Sequence, residues 1–220
     1  MQAMDGGPGL LGVEAARRFW DQRHRDLDDL RSGGDTGFDR AGNEVFYAWR
    51  LGLLLHAIGD VTSVQAPLRV LDAGCGKGWF ARAIARCGHV VDAIDVSVLA
   101  IEEARTLGGG PHYEVATLAE FRSTRLYDVV FSIDVLFHLL DDAEWATGLR
   151  NLASLVRLTG KLVVSDWVDE ERRQFGCHQL VRPPSAYVEL LTGEGLQYER
   201  TLPYAFRSSR VGLHVFVRTE

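Results

Sequence analysis

The sequence predicts an α/β domain, a mostly parallel sheet with helices on both faces, preceded by a helical N-terminal extension. Three observations carry this. Short apolar runs alternate with segments of helical apolar spacing between residues 68 and 191, as strands do when helices cover both faces of a sheet. A glycine-rich turn, "DAGCGKG" at 72–78, joins the first strand to the first helix of that series. Residues 1–62 carry helical patterns ahead of the first strand and form an extension to a domain at 63–220.

In the extension, residues 10–31 and 43–59 read as helices; the second places Val45, Trp49, Leu53 and Leu55 or His56 three to four apart. Trp20, Phe38, Phe46, Tyr47 and Trp49 add aromatic surface, most of it for docking these helices on the domain. Leu68, Val70, Leu71 and Ala73 make a buried strand. Phe80, Ala81, Ile84 and Ala85 recur at helical spacing, and Gly88 lies just past that helix, where a C-terminal glycine belongs. The glycines therefore sit on a strand-to-helix turn, where backbone N–H groups and the positive helix end face a ligand at close range. "VVDAIDVS" (90–97) is a second strand ending at Asp95, and "HYEVA" (112–116) a third. "YDVVFSIDVLFHL" (127–139) is a fourth strand running into an aromatic and polar loop. A helix over Trp145–Val156, a fifth strand at 160–168, and a helix opened by Pro183 and Pro184 and running through Leu191 follow.

Spacing then sorts the glycine turn. The dinucleotide fingerprint G-x-G-x-x-G needs a glycine where Trp79 stands, and the phosphate loop needs Gly at Leu71 and Ser or Thr at Gly78. What remains is an acid at the strand end, Asp72, followed by G-x-G-x-G. This stretch resembles motif I of the class I S-adenosylmethionine-dependent methyltransferases. The resemblance implies a Rossmann-like, seven-stranded, mostly parallel sheet, closed by an antiparallel pair at "LQYERTLPYAF" and "VGLHVFVRT", with the N-terminal helices as a lid. It implies S-adenosylmethionine as cofactor, passing over Asp72, Ala73, Gly74, Gly76 and Gly78. An acidic strand end also suits a cationic ligand better than a pyrophosphate. Asp95, 19 residues after Gly76, takes the place of the family's ribose-binding acid, since a carboxylate there accepts hydrogen bonds from both ribose hydroxyls; a helix N-cap near Ser97 is its plain structural alternative. The resemblance adds Val96, Thr117, Leu118, Ser132 and Asp134 to the cofactor set. The family's usual adenine-contacting acid is missing at 117–118, and Glu120 lies further along. Tyr47 and Arg50, three apart on one helix face, present a hydroxyl and a guanidinium to the cofactor carboxylate.

Methyl transfer needs an aligned nucleophile in a dry pocket and, for a hydroxyl or amine, a proton acceptor. His138 is the candidate base because histidine titrates near working pH; Asp134 orients it or meets the cofactor amine, and His178 is a third catalytic candidate. "FGCHQLVRPPSAYVELL" resembles a stretch in some small methyltransferases of polysaccharide and secondary-metabolite formation, which implies His178 and Arg182 as substrate residues beside Trp20 and Trp167. Asp134 and Asp166 mimic the magnesium acids of catechol-type enzymes, but the accompanying lysine and Asp-Asn pair are missing, so no metal is expected.

A net charge of −6, with lysine only at 77 and 161 and arginines scattered among acids, argues against nucleic acid. The Asn/Asp-Pro-Pro-aromatic signature of exocyclic base methylation is replaced by Ser132-Ile133-Asp134-Val135. No run approaches the roughly 20 apolar residues of a membrane span, the start lacks a secretory pattern, and three cysteines without a CxxC pair fit a reducing compartment. The expectation is a cytoplasmic protein, monomer or homodimer, that methylates a hydroxyl or amine of a small molecule such as a sugar or secondary metabolite. The alternative is a methyltransferase fold that binds S-adenosyl ligands without catalysis, as a regulator or partner subunit.

Overall fold

A computed structural model describes residues 13–28, 30–59 and 66–220. The apolar runs become strands β1 (Arg69–Ala73), β2 (Val90–Asp95), β3 (His112–Val115), β4 (Tyr127–Ser132) and β5 (Val156–Trp167). Helices α1 (Val13–Asp26) and α2 (Arg40–Ile58) precede them, and α3 (Trp79–Arg86), α4 (Val98–Leu107) and α5 (Asp142–Ser154) lie between them. A hairpin of β6 (Arg173–Phe175) and β7 (Gln179–Val181), helix α6 (Pro184–Gly193), and strands β8 (Leu196–Pro203) and β9 (Val211–Arg218) complete the chain.

The seven-stranded sheet runs β3-β2-β1-β4-β5-β9-β8. Its first five strands are parallel, and β9 is antiparallel to both β5 and β8. Alternate side chains feed two cores. Val70, Val129, Val163 and Val215 pack with Phe46 and Leu54 of α2, Ile84 of α3 and Ile101 of α4. Their neighbours Leu71, Val130, Leu162 and Phe216 pack with Trp145 and Leu152 of α5 and Tyr187 and Leu191 of α6. The period of two in each strand thus assigns one apolar set to each layer of helices. The order reverses between β1 and β4, so their carboxyl ends flank the crevice where such sheets bind ligands.

Several boundaries differ from the sequence reading, each for a local reason. Helix α1 stops at Asp26 rather than running to residue 31, because the Asp28 carboxylate accepts from Leu30 N and Arg31 N and turns the chain; residues 10–12 lie outside the described residues. Helix α2 starts at Arg40, before its first apolar-periodic residue, since Asp39 caps it through Gly42 N at 2.7 Å. Helix α5 likewise starts at Asp142, capped by Asp141. Strand β5 begins at Val156, the residue given to the helix end, because Val156 pairs with Tyr127. The loop expected at 167–182 contains the β6–β7 hairpin, whose three-residue strands are too short to show a period. The boundary between extension and domain falls between Ile58 and Arg69, partly outside the described residues. Among the described residues no helix is long and apolar enough to cross a membrane.

Candidate active site

A cavity of about 400 Å³ opens at the carboxyl ends of β1, β2 and β4, covered by α1 and walled by α2 and the β8–β9 loop. Its floor is the glycine turn. Gly74 N and Cys75 N donate to Ile94 O at 2.8 and 2.9 Å, tying the turn to β2. All three glycines of the turn have positive φ, but they differ in what a side chain would meet. A Cβ on Gly74 would run into Val135 and one on Gly78 into the Tyr113 ring, whereas at Gly76 the nearest atom is Cε1 of His24, 3.5 Å away. The outer glycines allow close packing, and the middle one faces the cavity.

Asp95 holds this turn from the next strand. Its Oδ2 accepts from Gly76 N at 2.7 Å and its Oδ1 from Ser97 N at 2.8 Å. Ser97, not Asp95, caps α4, accepting from Ala100 N. Asp95 lines the cavity, and each of its oxygens keeps lone-pair capacity beyond one backbone N–H. Asp72 lies beneath the turn, 2% exposed, and its Oδ2 has no hydrogen-bond partner among the described residues. Burial, aided by the charge of Asp95, pushes its carboxyl well above the usual carboxylate range.

The second half of the cavity is organised by Asp134. It stands just past β4 with φ of 58°, a left-handed conformation costly for a residue with a Cβ. Three groups hold it there. Arg50 Nη1 of α2 donates to Oδ2. Ser165 Oγ donates to Oδ1 at 3.0 Å and accepts from Asp134 N at 2.6 Å. Tyr204 Oη donates to Oδ1 at 2.9 Å, and burial followed by this carboxylate pushes the phenol well up. Arg50 is 1% exposed, and its guanidinium lies 4.0 Å from the Phe46 centroid and 4.3 Å from that of Tyr47. Its Nε and Nη2 have no hydrogen-bond partner among the described residues. A buried cation with two unspent donors in a cavity is matched to an anion, above all a carboxylate.

His138 follows in a 3₁₀ turn, Leu136–His138. Its Nδ1 lies 2.7 Å from His178 O. A carbonyl only accepts, so Nδ1 carries the proton and Nε2 keeps the lone pair. Burial, the largest influence, lowers its pKa to about 4, below the working-pH titration expected from the sequence, so the imidazole is held neutral but is a weaker proton acceptor than a free histidine. The orienting partner expected of Asp134 is therefore the His178 backbone; Asp134 is committed to Arg50, Ser165 and Tyr204. The Trp20 ring meets His138 edge-on at 4.7 Å, and the His178 ring stacks on Phe19 at 5.3 Å.

Of the residues singled out from the sequence, the cavity brings together Trp20, Tyr47, Arg50, Gly74, Gly76, Asp95, Val96, Thr117, Leu118, Asp134, His138 and His178. Ala73, Gly78 and Ser132 lie behind the turn and strands; Ser132 Oγ donates to Ala73 O at 2.8 Å. Arg182 turns away, pairing with Asp142 at 2.8 Å and lying over the Trp145 ring. Trp167 packs against Phe175, the two rings tilted by 30°, and lines a separate groove. Asp166 points inward to Tyr187 Oη at 2.5 Å, and burial raises it to about 6. Sequence reasoning missed His24, Ser165 and Tyr204. Tyr204 sat within a strand pattern and Ser165 inside another, so neither carried a signal; His24 had the spacing of Trp20 plus four on one helix face.

A family model described as a methyltransferase domain matches residues 41–197. The ubiquinone biosynthesis O-methyltransferase of Rickettsia felis is 31% identical over 120 residues, which is 53% of this chain and 48% of that protein. The chain thus spans about half the length of the first curated relatives it matches. Magnesium protoporphyrin IX methyltransferase from Synechocystis PCC 6803, crystallised with bound SAM, superposes with a TM-score of 0.72 at 21% identity, over 97% of this chain and 100% of that one. The N-methyltransferase NodS from Bradyrhizobium japonicum WM9, in complex with S-adenosyl-l-homocysteine, gives 0.70 at 20% identity, over 93% and 99%. These two share the fold. With a family match over more than half of its residues, the chain belongs to the methyltransferase-domain family.

Proposed function

We propose that this chain is an S-adenosylmethionine-dependent methyltransferase acting on a hydroxyl or amine of a small molecule, a sugar or other secondary metabolite. The observation that carries the reading is a single cavity with two differently prepared ends. Asp95 and the open Gly76 position stand at one, and the unspent Nε and Nη2 of buried Arg50 at the other. A ligand with a ribose and an amino-acid carboxylate matches both. Asp95 would hold the ribose hydroxyls, Thr117 and Leu118 the base side, and Arg50, backed by Asp134, the carboxylate. When bound, the cofactor supplies a methyl group on a sulfonium that departs as a neutral thioether. The chain supplies alignment and dryness: Trp20 on α1, with Phe46 and Tyr47, encloses the space. Nε2 of His138, kept neutral, accepts the proton of the acceptor hydroxyl or amine.

The curated relative's name, an O-methyltransferase, supports a hydroxyl acceptor. A cavity of about 400 Å³ supports a small one. Calorimetry with S-adenosylhomocysteine and with NAD tests the cofactor; binding of NAD with none of S-adenosylhomocysteine would overturn the reading. Incubation with S-adenosylmethionine and panels of phenols, sugars and amines then tests catalysis through released S-adenosylhomocysteine. Tight cofactor binding with no turnover on any acceptor would instead make the chain a non-catalytic binder.

A further inference from the structure

Helix α1 is fastened over the cavity at several points. Ser97 Oγ donates to Asp21 Oδ1 at 2.6 Å, and Lys77 Nζ donates to Leu27 O at 3.2 Å while pairing with Glu103 at 2.8 Å. Arg23 donates to Ser32 O and Gly34 O at 2.6 and 2.9 Å. Asp21 and Arg23 thus have protein partners. His24, on the same helix and between them and Leu27, has none: no hydrogen bond joins either ring nitrogen to another described residue, and Nδ1 is both buried and unpartnered. The imidazole is 6% exposed and lines the cavity. Its Cε1 lies 3.5 Å from the place a Cβ would take on Gly76, the glycine that faces the cavity. Among neighbouring charges that of Asp95 influences it most, working against the burial that lowers its pKa.

A buried imidazole without partners is costly, and natural structures keep few such groups without a reason. Trp20 beside it, 6.1 Å between centroids, shows that this face of the helix accepts aromatic carbon, so an apolar ring would have filled the place at lower cost. Each Asp95 oxygen already accepts one backbone N–H, and hydroxyls that donate to its remaining lone pairs leave their own oxygens free to accept.

We propose that His24 is a cofactor-binding residue carried by the covering helix, its ring N–H donating to a ribose hydroxyl that Asp95 holds from below. The assignment rests on the proposed S-adenosyl site. It also gives α1 a ligand-dependent fastening: a cofactor that bonds His24 favours the closed helix by whatever that bond contributes, and a helix gains nothing from a ligand it does not touch.

The test is a binding cycle that needs no acceptor. S-adenosylhomocysteine and its 2′-deoxy and 3′-deoxy analogues are titrated into the wild-type chain and into His24→Phe, which keeps a ring beside Trp20 and removes the donor. His24→Phe should weaken S-adenosylhomocysteine about tenfold, the scale of one hydrogen bond. Removing the hydroxyl that His24 meets should then cost the variant clearly less than the wild type. Hydrogen exchange supplies a second readout: the ligand should slow exchange along 13–26 in the wild type and do so less in the variant. Equal affinities for all ligands in a variant with an unchanged melting temperature would overturn the assignment while leaving the proposed site standing. No binding by the wild type would instead overturn the site. Should His24→Phe fail to fold, His24→Leu, which also removes the donor, is put through the same cycle; affinities and hydroxyl dependence equal to those of the wild type overturn the assignment too.

Discussion

The two ends of the cavity are built by different means. At the β1–β2 end the anchors are near in sequence and largely backbone: Gly74 and Cys75 N–H on Ile94 O, and Gly76 N–H on Asp95 only 19 residues away. At the β4 end the anchors are side chains from distant segments. Asp134 is held by Arg50, Ser165 and Tyr204, which lie 84, 31 and 70 residues from it. The first end is a turn that a short sequence encodes. The second is a charge network that exists only when α2, β4, β5 and the β8–β9 loop have assembled. An end built on a glycine turn is thus specified by local backbone geometry, while the end built around a buried charge pair draws on the whole fold.

That contrast breaks first, and most sharply, at His138. His138→Ala should lower turnover at saturating cofactor by roughly 10²–10⁴-fold, with S-adenosylhomocysteine affinity nearly unchanged. Turnover within a few fold, in a protein of normal melting temperature, would remove proton transfer from the β4 end. Next comes the network itself. Arg50→Met leaves Asp134 without its cation, and breaking such a pair costs about 3–5 kcal/mol. Urea unfolding should show that loss, and adding Asp134→Asn should recover most of it; a loss in the double variant equal to the sum of the two single losses would mean the two residues act independently.

At the other end the expected effect is smaller and confined to binding. Asp95→Ala should weaken S-adenosylhomocysteine by about 1.5–3 kcal/mol, the range for hydrogen bonds to a charged group. An unchanged dissociation constant would reduce Asp95 to a support of the glycine turn. The smallest effect is with acid. His214 of β9 is 1% exposed, bonded at Nδ1 to Thr201 Oγ1 at 2.7 Å, and burial lowers its pKa to about 4. A group whose folded pKa is depressed favours folding above its unfolded value, near 6.5, and that advantage drains away as pH falls towards the folded pKa. Between pH 7 and 5 this one residue should cost the wild type about 2 kcal/mol of stability. Asp166, raised to about 6, takes up a proton in the folded state over the same window and opposes the loss. Comparing wild type with His214→Gln at both pH values isolates the histidine: the variant's deficit should shrink by about that amount at pH 5, and a constant deficit would refute the assignment.

Periodicity located five strands and the helices between them, and missed what periodicity cannot see. The three-residue strands β6 and β7 contain too few side chains to alternate visibly. The helix starts at Arg40 and Asp142 were set by caps, Asp39 and Asp141, that precede the apolar pattern. At the site, Asp95 and Gly76 were legible because strand-to-helix turns impose a fixed local spacing. Arg182 was legible only as an arginine in a loop; its pairing with Asp142 and its stacking on Trp145 draw it away from the cavity.

By itself the sequence determined the α/β class, the strand-to-helix position of the glycine turn, and the pairing of that turn with an acid at the end of the next strand. Each follows from side-chain periods of two and 3.6 and from backbone rules that act over a few residues. Only the tertiary structure decided that Arg50 stands behind Asp134 with two donors to spare, that the His178 carbonyl fixes the His138 tautomer, and that His24 looks down on Gly76. The physical reason is that buried charges and imidazoles take their states from whatever packing brings beside them, and such partners, tens of residues apart, leave no period in the chain.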